Sequence, residues 1–506
     1  MNFRSVLSLI LAAALGLSLT GCGPSQEEPA GSSADASSSA ETDAPHSDAV
    51  STPFTLAVFP DASLHPVLST SKANLTLAPL LYEPLFQLDG QFNAVPVLCE
   101  SWTFSPDKLV WNFDLREGVT LSDDSVLTGK AVAAALDLAR GEGSRFAQRL
   151  RDVVSVTGSG RRVTITLSRP NGRLPQLLDI PIAVGTGSRP AGSGPYALTQ
   201  AGDEFSLTAR SDWWQHKQLP QQSFPLDPIH ETDELIYAFD TGDVSLVELD
   251  MLDPGSAVFS EGSRSVDYAT TDLIYLGFNT QRGLCKEPKF RTAVSRAIDR
   301  KSVVQTNFAN HAAVSPLPVH PDSPLYNSTA AAALSYEPLA LSRLMEELSP
   351  GRPLTFLVNS ESEAKASTAQ LIANQLETAG LSVNLRKLPF EEYTAALAAG
   401  NFDLYLGEVI LTADFDLTAL LAPGGSVNYS GWANPQAPAL VAALAAADAD
   451  AAPEAAKALF DLLVQDPPVA AVCFTNGSVL SQWGRLDRIS PVRGNVFYQL
   501  ENWIIQ

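Results

Sequence analysis

"PLTFLVNSESEAKASTAQLIANQLETAGLSVNLRKLPFEEYTAALAAGNFDLYLGEVILTADFD" runs from Pro353 to Asp416 and alternates strand-like with helix-like segments. Three short apolar segments (PLTFLVN, LSVNLRKL and FDLYLGEVI) are typical of strands. The two segments between them have helical character and end at Gly380 and Gly400. This β-α-β-α-β order predicts a parallel sheet with right-handed crossovers. We therefore assign the chain to the α/β fold class.

Two carboxylates, Asp414 and Asp416, follow directly after the third predicted strand. In open parallel sheets, ligands bind beyond the carboxyl ends of the strands. Both acids are therefore candidates for a carboxylate that binds a ligand. For either residue alone, a helix N-cap or a solvated loop acid explains its position equally well.

Elements outside this segment are predicted from the same local signals. Strands are expected at 54–59, 109–115 and 162–167, and a helix at 128–141 begins with Thr128 as its N-cap. One continuous helix is expected at 289–308, because its apolar residues share one face at helical spacing. That face consists of Phe290, Val294, Ala297, Ile298 and Val304.

The amino terminus has the pattern of a lipoprotein signal. Arg4 precedes an apolar stretch at 6–19, and two small residues lead from it into Cys22. The stretch is shorter than the roughly 20 residues that span a bilayer. This order indicates a signal peptide at 1–21 and lipidation of Cys22. An ordinary secretory signal with an incidental cysteine is the alternative. Residues 22–52 are rich in Ser, Ala, Pro and acids and predict a lipid-anchored, disordered tether.

Composition argues against several classes of function. The 506-residue chain carries a net charge of −23 at pH 7, so no nucleic-acid partner is expected, and no membrane contact beyond the lipid anchor. The six histidines form no HxxxH or HExxH pattern, and we expect no metal and no cofactor. No nucleophile elbow, P-loop or dinucleotide-binding glycine motif is found, and we assign no catalytic residue. For Cys99, Cys285 and Cys473, buried free thiols are favoured over one disulfide with a free thiol.

Ordered blocks of sequence resemble one protein family. The first block begins "LYEPLFQLDGQF" at Leu81 and ends "VLTGKAVAAAL" at Leu136; "AGSGPYALTQ", "KFRTAVSRAIDRKSVV", "NYSGWANP" and "LLVQDPPVAAVCFTN" follow in order. They resemble the extracellular solute-binding proteins, family 5, which are the oligopeptide, dipeptide and nickel binders of ABC importers. The matching residues of the first block are Tyr82, Glu83, Pro84, Leu85, Phe86, Glu100, Ser101, Trp102, Leu115, Arg116, Gly118, Val119, Leu127 and Thr128.

The resemblance implies a two-lobed fold like that of periplasmic binding proteins, with an extra inserted domain and a hinge between the lobes. Lobe I would comprise 53–87, 189–270 and 482–506, and the inserted domain would span 88–188. Lobe II would span 271–481. The segment "DLIYLGFNT" (272–280) would be one hinge crossing, and the segment near Trp483 would be the return.

The resemblance also implies a ligand site after the third strand. Peptide binders of the family often carry W-x-A-D-Y-x-x-P there; this chain keeps Ala413, Asp414 and the aromatic Phe415 but has Leu411 and Thr418 in place of tryptophan and proline. Asp414 would pair with the α-ammonium group of a bound peptide. The full set of candidate ligand-binding residues is Thr412, Asp414, Phe415, Asp416, Asn428 and Trp432.

The function expected from this resemblance is that of a substrate-binding lipoprotein of an ABC importer. A monomer anchored to the extracytoplasmic face of the cell membrane would capture peptides between closing lobes and deliver them to membrane permease subunits. Three alternatives remain. The same fold can bind a nickel chelate, a sugar or another small solute; the protein can sense its ligand or act as a chaperone without a permease; or it can be an anchored hydrolase, which we disfavour.

Overall fold

The computed structural model describes residues 53–250, 263–348, 352–482 and 484–506. The predicted signal peptide, Cys22, the tether and Trp483 lie outside the described residues. Within the described ranges, no helix combines the length and apolar character needed to cross a membrane.

The described residues form short and long strands in chain order. They are β1 Leu56–Val58, β2 Phe86–Leu88, β3 Ala94–Pro96, β4 Cys99–Phe104, β5 Val110–Leu115, β6 Val153–Ser159, β7 Arg162–Leu167, β8 Ala183–Val184, β9 Ala191–Gly192, β10 Tyr196–Ala201, β11 Glu204–Ala209, β12 Ser223–Pro228, β13 Leu246–Asp250, β14 Ser263–Phe278, β15 Ala312–Val314, β16 Leu354–Asn359, β17 Val383–Leu388, β18 Leu404–Ile410, β19 Val469–Gln482, β20 Leu486–Asp487 and β21 Ile504–Ile505.

The helices alternate with these strands mainly in the second half of the chain. They are α1 Lys72–Thr76, α2 Ala78–Leu81, α3 Gly129–Ala139, α4 Thr232–Thr241, α5 Pro288–Arg296, α6 Arg300–Asn307, α7 Ser328–Ala333, α8 Pro338–Glu347, α9 Glu363–Thr378, α10 Phe390–Ala398, α11 Thr418–Leu421, α12 Ala437–Ala446 and α13 Ala452–Gln465.

The predicted β-α-β-α-β unit is confirmed. β16 pairs in parallel with both β17 and β18, and α9 and α10 are the crossovers. Ser362 caps α9 by accepting a hydrogen bond from the backbone N–H of Lys365, and Gly380 follows the helix with a φ of 92°. A side chain with a Cβ rarely adopts this left-handed conformation, which explains the glycine at the helix end. β18 therefore points its carboxyl end toward the loop that contains Asp414.

Two long antiparallel strands extend this parallel unit into a seven-stranded sheet. The order is β13-β19-β14-β18-β16-β17, with β15 also paired to β19. β14 has 16 residues and β19 has 14, and their register shifts between Ala269 and Leu273. β13 and the first residues of β14 belong to the predicted lobe I, whereas the rest of β14 belongs to the predicted lobe II. One continuous sheet thus contains strands from both predicted lobes.

Two four-stranded sheets come from the first half of the chain. One has the order β1-β12-β11-β10, and the other, antiparallel, has the order β4-β5-β7-β6. The strands predicted at 54–59, 109–115 and 162–167 are confirmed as β1, β5 and β7. α3 packs on the second sheet and is capped by the Thr128 hydroxyl, which accepts a hydrogen bond from the N–H of Ala131. The predicted helix and its cap are therefore confirmed.

The prediction of one helix at 289–308 was wrong, because the structure contains two helices, α5 and α6. The first helix ends at Arg296 with Ala297 as its C-cap, and Asp299 caps the second, with its carboxylate accepting a hydrogen bond from the N–H of Ser302 at 3.1 Å. The buried guanidinium of Arg300 turns inward and donates to the carbonyls of Ser295 and Ala471. These contacts favour a break over a continuous helix. The predicted apolar face is nevertheless buried throughout.

The three cysteines Cys99, Cys285 and Cys473 are buried and unpaired, so the prediction of buried free thiols rather than a disulfide is confirmed. Cys99, Cys285 and Cys473 all have free thiols, and each side chain lies in a hydrophobic core. Burial raises the pKa of all three thiols to about 12, so they remain protonated and unreactive at neutral pH.

Candidate functional site

The loop between β18 and α11 holds Asp414 in a buried position. The residue is only 3% exposed. One carboxylate oxygen accepts a hydrogen bond from the Thr412 hydroxyl at 2.5 Å, and the other accepts one from the Asn171 side-chain amide at 2.9 Å. The donors come from opposite sides, since Thr412 lies on the same loop and Asn171 follows β7. Asp414 is thus held between its own loop and a distant segment.

Asp416 pairs with two arginines of the same distant region. Arg151 donates to its carboxylate at 2.6 Å, and Arg169 also forms an ion pair with it. Arg169 in addition contacts Asp152 at 2.6 Å. Burial would raise the pKa of Asp416, but hydrogen bonds from Arg169 and Thr418 outweigh it and hold the pKa below its usual value. Asp416 therefore stays charged at neutral pH.

Arg173 contributes a third guanidinium beside Asp414. Its side chain is buried and donates to the backbone carbonyls of Asp414 at 2.8 Å, Leu444 at 2.6 Å and Ala447 at 3.0 Å. Burial lowers the pKa of Arg173, and the charges of Asp414 and Asp416 oppose that shift. The guanidinium therefore connects the Asp414 loop with the end of α12.

Further backbone contacts join the same two regions. The N–H of Gly172 donates to the carbonyl of Ala445 at 2.8 Å, and Lys108 forms an ion pair with Asp448 at 3.3 Å. A Cβ on Gly172 would lie 2.3 Å from the carbonyl oxygen of Ala447, so only glycine permits this approach. Residues 108 and 151–173 thus contact residues 414–416 and 444–448 over an extended surface.

The charges of this surface balance. Arg151, Arg169 and Arg173 carry three positive charges, and Asp152, Asp414 and Asp416 carry three negative ones. Most of the acids lie on the 414–416 loop, and all three arginines lie on the facing segment. Separation of the two surfaces would leave a negatively charged loop facing a positively charged one, each able to bind a ligand group of opposite charge.

Phe415 belongs to the same loop and is buried. Its backbone φ is 50°, and its ring lies 5.1 Å from the ring of Phe92 and 6.1 Å from that of Phe474. Four of the predicted site residues, Thr412 and Asp414–Asp416, therefore lie together beyond the carboxyl end of β18.

Asn428 and Trp432 lie in a different loop, between α11 and α12, and their polar atoms have other partners. The Asn428 amide donates to the carbonyls of Ala422 and Trp432, and the Trp432 indole donates to the Asp466 carboxylate at 3.0 Å. The Asn428 amide thus braces its own loop, and the Trp432 indole ties that loop to the end of α13. The structure does not bring their polar groups to Asp414.

Sequence reasoning missed the residues that face this loop. The partners Arg169, Asn171 and Arg173 belong to the short segment "RPNGR". The sequence did offer one signal for this facing segment, which was a pair of arginines at a proline-glycine turn in a strongly acidic chain. That signal does not indicate which carboxylates they contact.

A second buried carboxylate, Glu83, has no cationic partner among its hydrogen bonds. Its oxygens accept from the indoles of Trp213 and Trp214 and from the Gln215 amide. Burial raises its pKa, and these hydrogen bonds reduce the shift. The contacts tie the chain near α2 to residues 213–215 beside a cavity of about 110 Å³. We assign this carboxylate a structural role.

In the described part of the chain, no group of three or more His, Cys, Asp or Glu side chains could hold a metal ion. A cavity of about 420 Å³ lies between β1, α1, α4 and β13. Its lining contains none of the predicted site residues.

Curated relatives include proteins named for solute binding. The glutathione-binding protein GsiB of Shigella flexneri is 24% identical over 330 residues, covering 61% of this chain and 63% of the relative. A putative ABC transporter peptide-binding protein of Brucella ovis is 26% identical over 354 residues, covering 62% of this chain and 64% of the relative. The match therefore spans somewhat less than two thirds of the length of these relatives.

Solved structures match over a larger share of the chain. HbpA2 from Haemophilus parasuis gives a TM-score of 0.73 at 17% identity and covers 89% of this chain and 99% of its own. The ABC transporter substrate-binding protein CtaP from Listeria monocytogenes gives 0.71 at 18% identity with the same coverage. A nickel ABC transporter protein from Bacillus halodurans gives 0.71 at 20% identity and covers 88% and 97%. The predicted two-lobed α/β binding-protein fold is thereby confirmed.

A family model matches the middle of the chain. The model described as "Bacterial extracellular solute-binding proteins, family 5 Middle" matches residues 93–431. This range is about two thirds of the chain and includes both Asn171 and Asp414. The chain belongs to the bacterial extracellular solute-binding proteins, family 5.

Proposed function

We propose that this protein is the extracytoplasmic substrate-binding component of an ABC importer and that it captures peptides between two lobes. Family membership supports a binding role over a catalytic one. The observation that carries the proposal is the position of Asp414, a carboxylate buried between its own loop and the segment that contains Asn171. A peptide bound there would be removed from water on both sides.

The proposed lobes are those expected from the sequence: 53–87, 189–270 and 482–506 for lobe I, 88–188 for the domain inserted in it, and 271–481 for lobe II. β14 and β19 run through the seven-stranded sheet from one proposed lobe to the other. The register shift between Ala269 and Leu273 is close to the proposed boundary. Bending there would separate residues 151–173 from the 414–416 loop.

Opening would expose the carboxylate of Asp414. Asn171 and Arg173 would withdraw with the inserted domain, and the negative charge would remain on lobe II. An ammonium group could then take the place of the Asn171 amide, and renewed closure would bury the resulting ion pair. Such a pair favours a ligand with a free amine, because a buried charge without a partner is costly. Extended peptides also offer backbone groups to neighbouring strands.

The lipid anchor is part of the same proposal. Cys22 would carry a diacylglycerol group, and residues 22–52 would tether the folded part to the membrane. The tether would let a monomer move between peptide capture and docking on the permease subunits.

The experiment that tests this function is a binding measurement on the mature protein. Tripeptides with a free amino terminus, their N-acetylated forms, a nickel–histidine complex and monosaccharides are titrated by calorimetry. Saturable binding of the free-amine peptides is expected. Binding of the nickel complex or a sugar, with no peptide binding, would contradict the peptide assignment and favour a small solute.

A further inference from the structure

Phe92 places its aromatic ring in a hydrophobic core whose other buried residues belong to the proposed lobe II. It lies in the turn between β2 and β3, inside the proposed inserted domain, and is 2% exposed. Among the described residues, the other buried members of this core lie between Leu273 and Phe474. The Phe92 ring thus crosses the interface between the proposed inserted domain and lobe II.

Two side chains of lobe II as proposed, His320 and Phe415, contact this ring, and a third, Phe474, lies behind them. The Phe415 ring lies 5.1 Å from that of Phe92 with an interplanar angle of 79°, and the His320 ring lies at 5.2 Å. Phe474 lies behind both, at 5.3 Å from His320 and 6.1 Å from Phe415. We call the space bounded by His320, Phe415 and Phe474 the aromatic pocket. Its walls favour edge-to-face contact with another aromatic ring.

The turn that contains Phe92 has a strained backbone, and side-chain hydrogen bonds hold it in place. Phe92 has a φ of 64°, a conformation that a bulky residue rarely adopts. Asp89 accepts hydrogen bonds from the N–H groups of Gln91 and Asn93, both at 2.9 Å, and Gln176 donates to the Phe92 carbonyl at 2.9 Å. Strained residues persist where surrounding contacts hold them, often at ligand sites.

His320 supplies a buried hydrogen-bond donor that has no partner. Its Nδ1 accepts a hydrogen bond from the N–H of Asp322 at 3.1 Å. Burial lowers its pKa to about 4, so the ring is neutral and its one proton lies on Nε2. This Nε2 is buried without a hydrogen-bond partner. An unpaired buried donor is unfavourable, and an acceptor brought by a ligand would satisfy it.

We propose that Phe92 fills the aromatic pocket in the empty closed protein and that a bound peptide replaces it with a tyrosine-like side chain. The inference rests on the proposed peptide-binding function. Phe415, which forms one wall, directly follows Asp414, the proposed partner of the peptide amine. A peptide anchored at Asp414 therefore brings its amino-terminal side chain closest to this pocket. A phenol ring fits the aromatic walls, and its oxygen can accept a hydrogen bond from His320 Nε2.

The test compares three tripeptides that differ only in the first residue. Tyr-Ala-Ala, Phe-Ala-Ala and Ala-Ala-Ala are titrated into the mature protein and into Phe92→Ala by calorimetry. Burial of an aromatic ring predicts an affinity about tenfold higher for Tyr-Ala-Ala than for Ala-Ala-Ala in the native protein. Phe92→Ala removes the competing ring, so this ratio should rise about fivefold further. A ratio near one in the native protein, or one that falls in Phe92→Ala, would overturn the proposal.

Two further variants separate the pocket from general effects on stability. Phe415→Leu removes an aromatic wall and should reduce the preference for an aromatic first residue. Phe290→Ala deletes a fully buried ring from a different core and should leave the preference unchanged. If Phe290→Ala changes the ratio as much as Phe92→Ala does, the pocket has no specific role. Phe92→Leu replaces Phe92→Ala if the latter does not fold.

A non-peptide probe distinguishes failure of this inference from failure of the proposed function. If no tripeptide binds the native protein, the peptide function fails, and the pocket is then tested alone. Small aromatic molecules bind cavities left by deleted side chains. Phenol should raise the unfolding temperature of Phe92→Ala more than toluene does, because only phenol pairs with His320. The absence of stabilisation by either probe would refute the pocket.

Discussion

Asn171 donates its side-chain amide to the carboxylate of Asp414 at 2.9 Å across 243 residues of sequence. This contact lies where the segment after β7 meets the loop after β18. The carboxylate predicted to bind a ligand therefore has a hydrogen-bond partner within the chain. Any positively charged ligand group that binds Asp414 must compete with this amide.

The first prediction concerns the amine specificity of Asp414. Asp414→Asn removes one partner of a buried ion pair and should weaken peptide binding by roughly 2–5 kcal/mol. N-acetylated peptides should bind poorly to the native protein, and the acetylation penalty should shrink in the variant. Calorimetry on both proteins with both ligands measures this coupling. An equal penalty in the two proteins would show that Asp414 does not contact the amine.

The second prediction concerns the two arginines that pair with Asp416. Arg151→Gln combined with Arg169→Gln removes both ionic partners of Asp416 and should favour opening. Small-angle scattering should show a larger radius of gyration without ligand, and ligand should reduce it again. Arg161→Gln is the matched control. Arg161 directly precedes β7 and pairs with Glu100, an exposed residue of β4 in the same four-stranded sheet. Equal radii for all three proteins would contradict the role of the arginines in closure.

The third prediction is a pH dependence of stability due to Asp416. Its pKa is lower in the folded protein, so its stabilising effect is fully present above the unfolded value of about 4 and is lost as the pH falls through the folded value. Asp416→Asn should therefore lower the unfolding temperature at pH 7, and its effect should be smaller near pH 3. Asp203→Asn alters an exposed turn and should have little effect at either pH. If Asp416→Asn destabilises the protein equally at both pH values, the lowered pKa of Asp416 is not the source of its stabilising effect.

The fourth prediction concerns membrane attachment. Cys22→Ser removes the proposed site of lipidation, so the chain should leave the membrane fraction or retain its signal peptide. Fractionation and the mass of the mature protein measure both results. Cys99→Ser, at a buried thiol, should not change membrane retention. Retention of a cleaved Cys22→Ser protein in the membrane would refute lipid anchoring.

The fifth prediction concerns the break between α5 and α6. Asp299→Ala removes the cap of α6 and should cost about 1 kcal/mol of unfolding free energy. Asp299→Asn keeps an acceptor for the Ser302 N–H and should cost less. Denaturant unfolding measures the difference, and equal losses would argue that the carboxylate charge, not the cap, stabilises this turn.

The local elements around the site could be predicted because their signals lie within a few residues of each other. The alternation in 353–416 identified β16, α9, β17, α10 and β18, and the topology rule for parallel sheets placed Asp414 beyond the end of β18. The same local reasoning failed at Ala297–Asp299. There the apolar periodicity continues through a break that is stabilised by the cap at Asp299 and by Arg300 reaching the carbonyl of Ala471.

By itself, the sequence determined the α/β class, the family resemblance and the position of the Asp414 loop at the end of a strand, since periodicity and short motifs encode all three. Only the tertiary structure decided that Arg151, Arg169, Asn171 and Arg173 face that loop and that Phe92 fills the pocket beside Phe415. Those contacts join residues more than 200 positions apart. They form only when distant segments pack against each other in the folded chain, and no local pattern in the sequence records that packing.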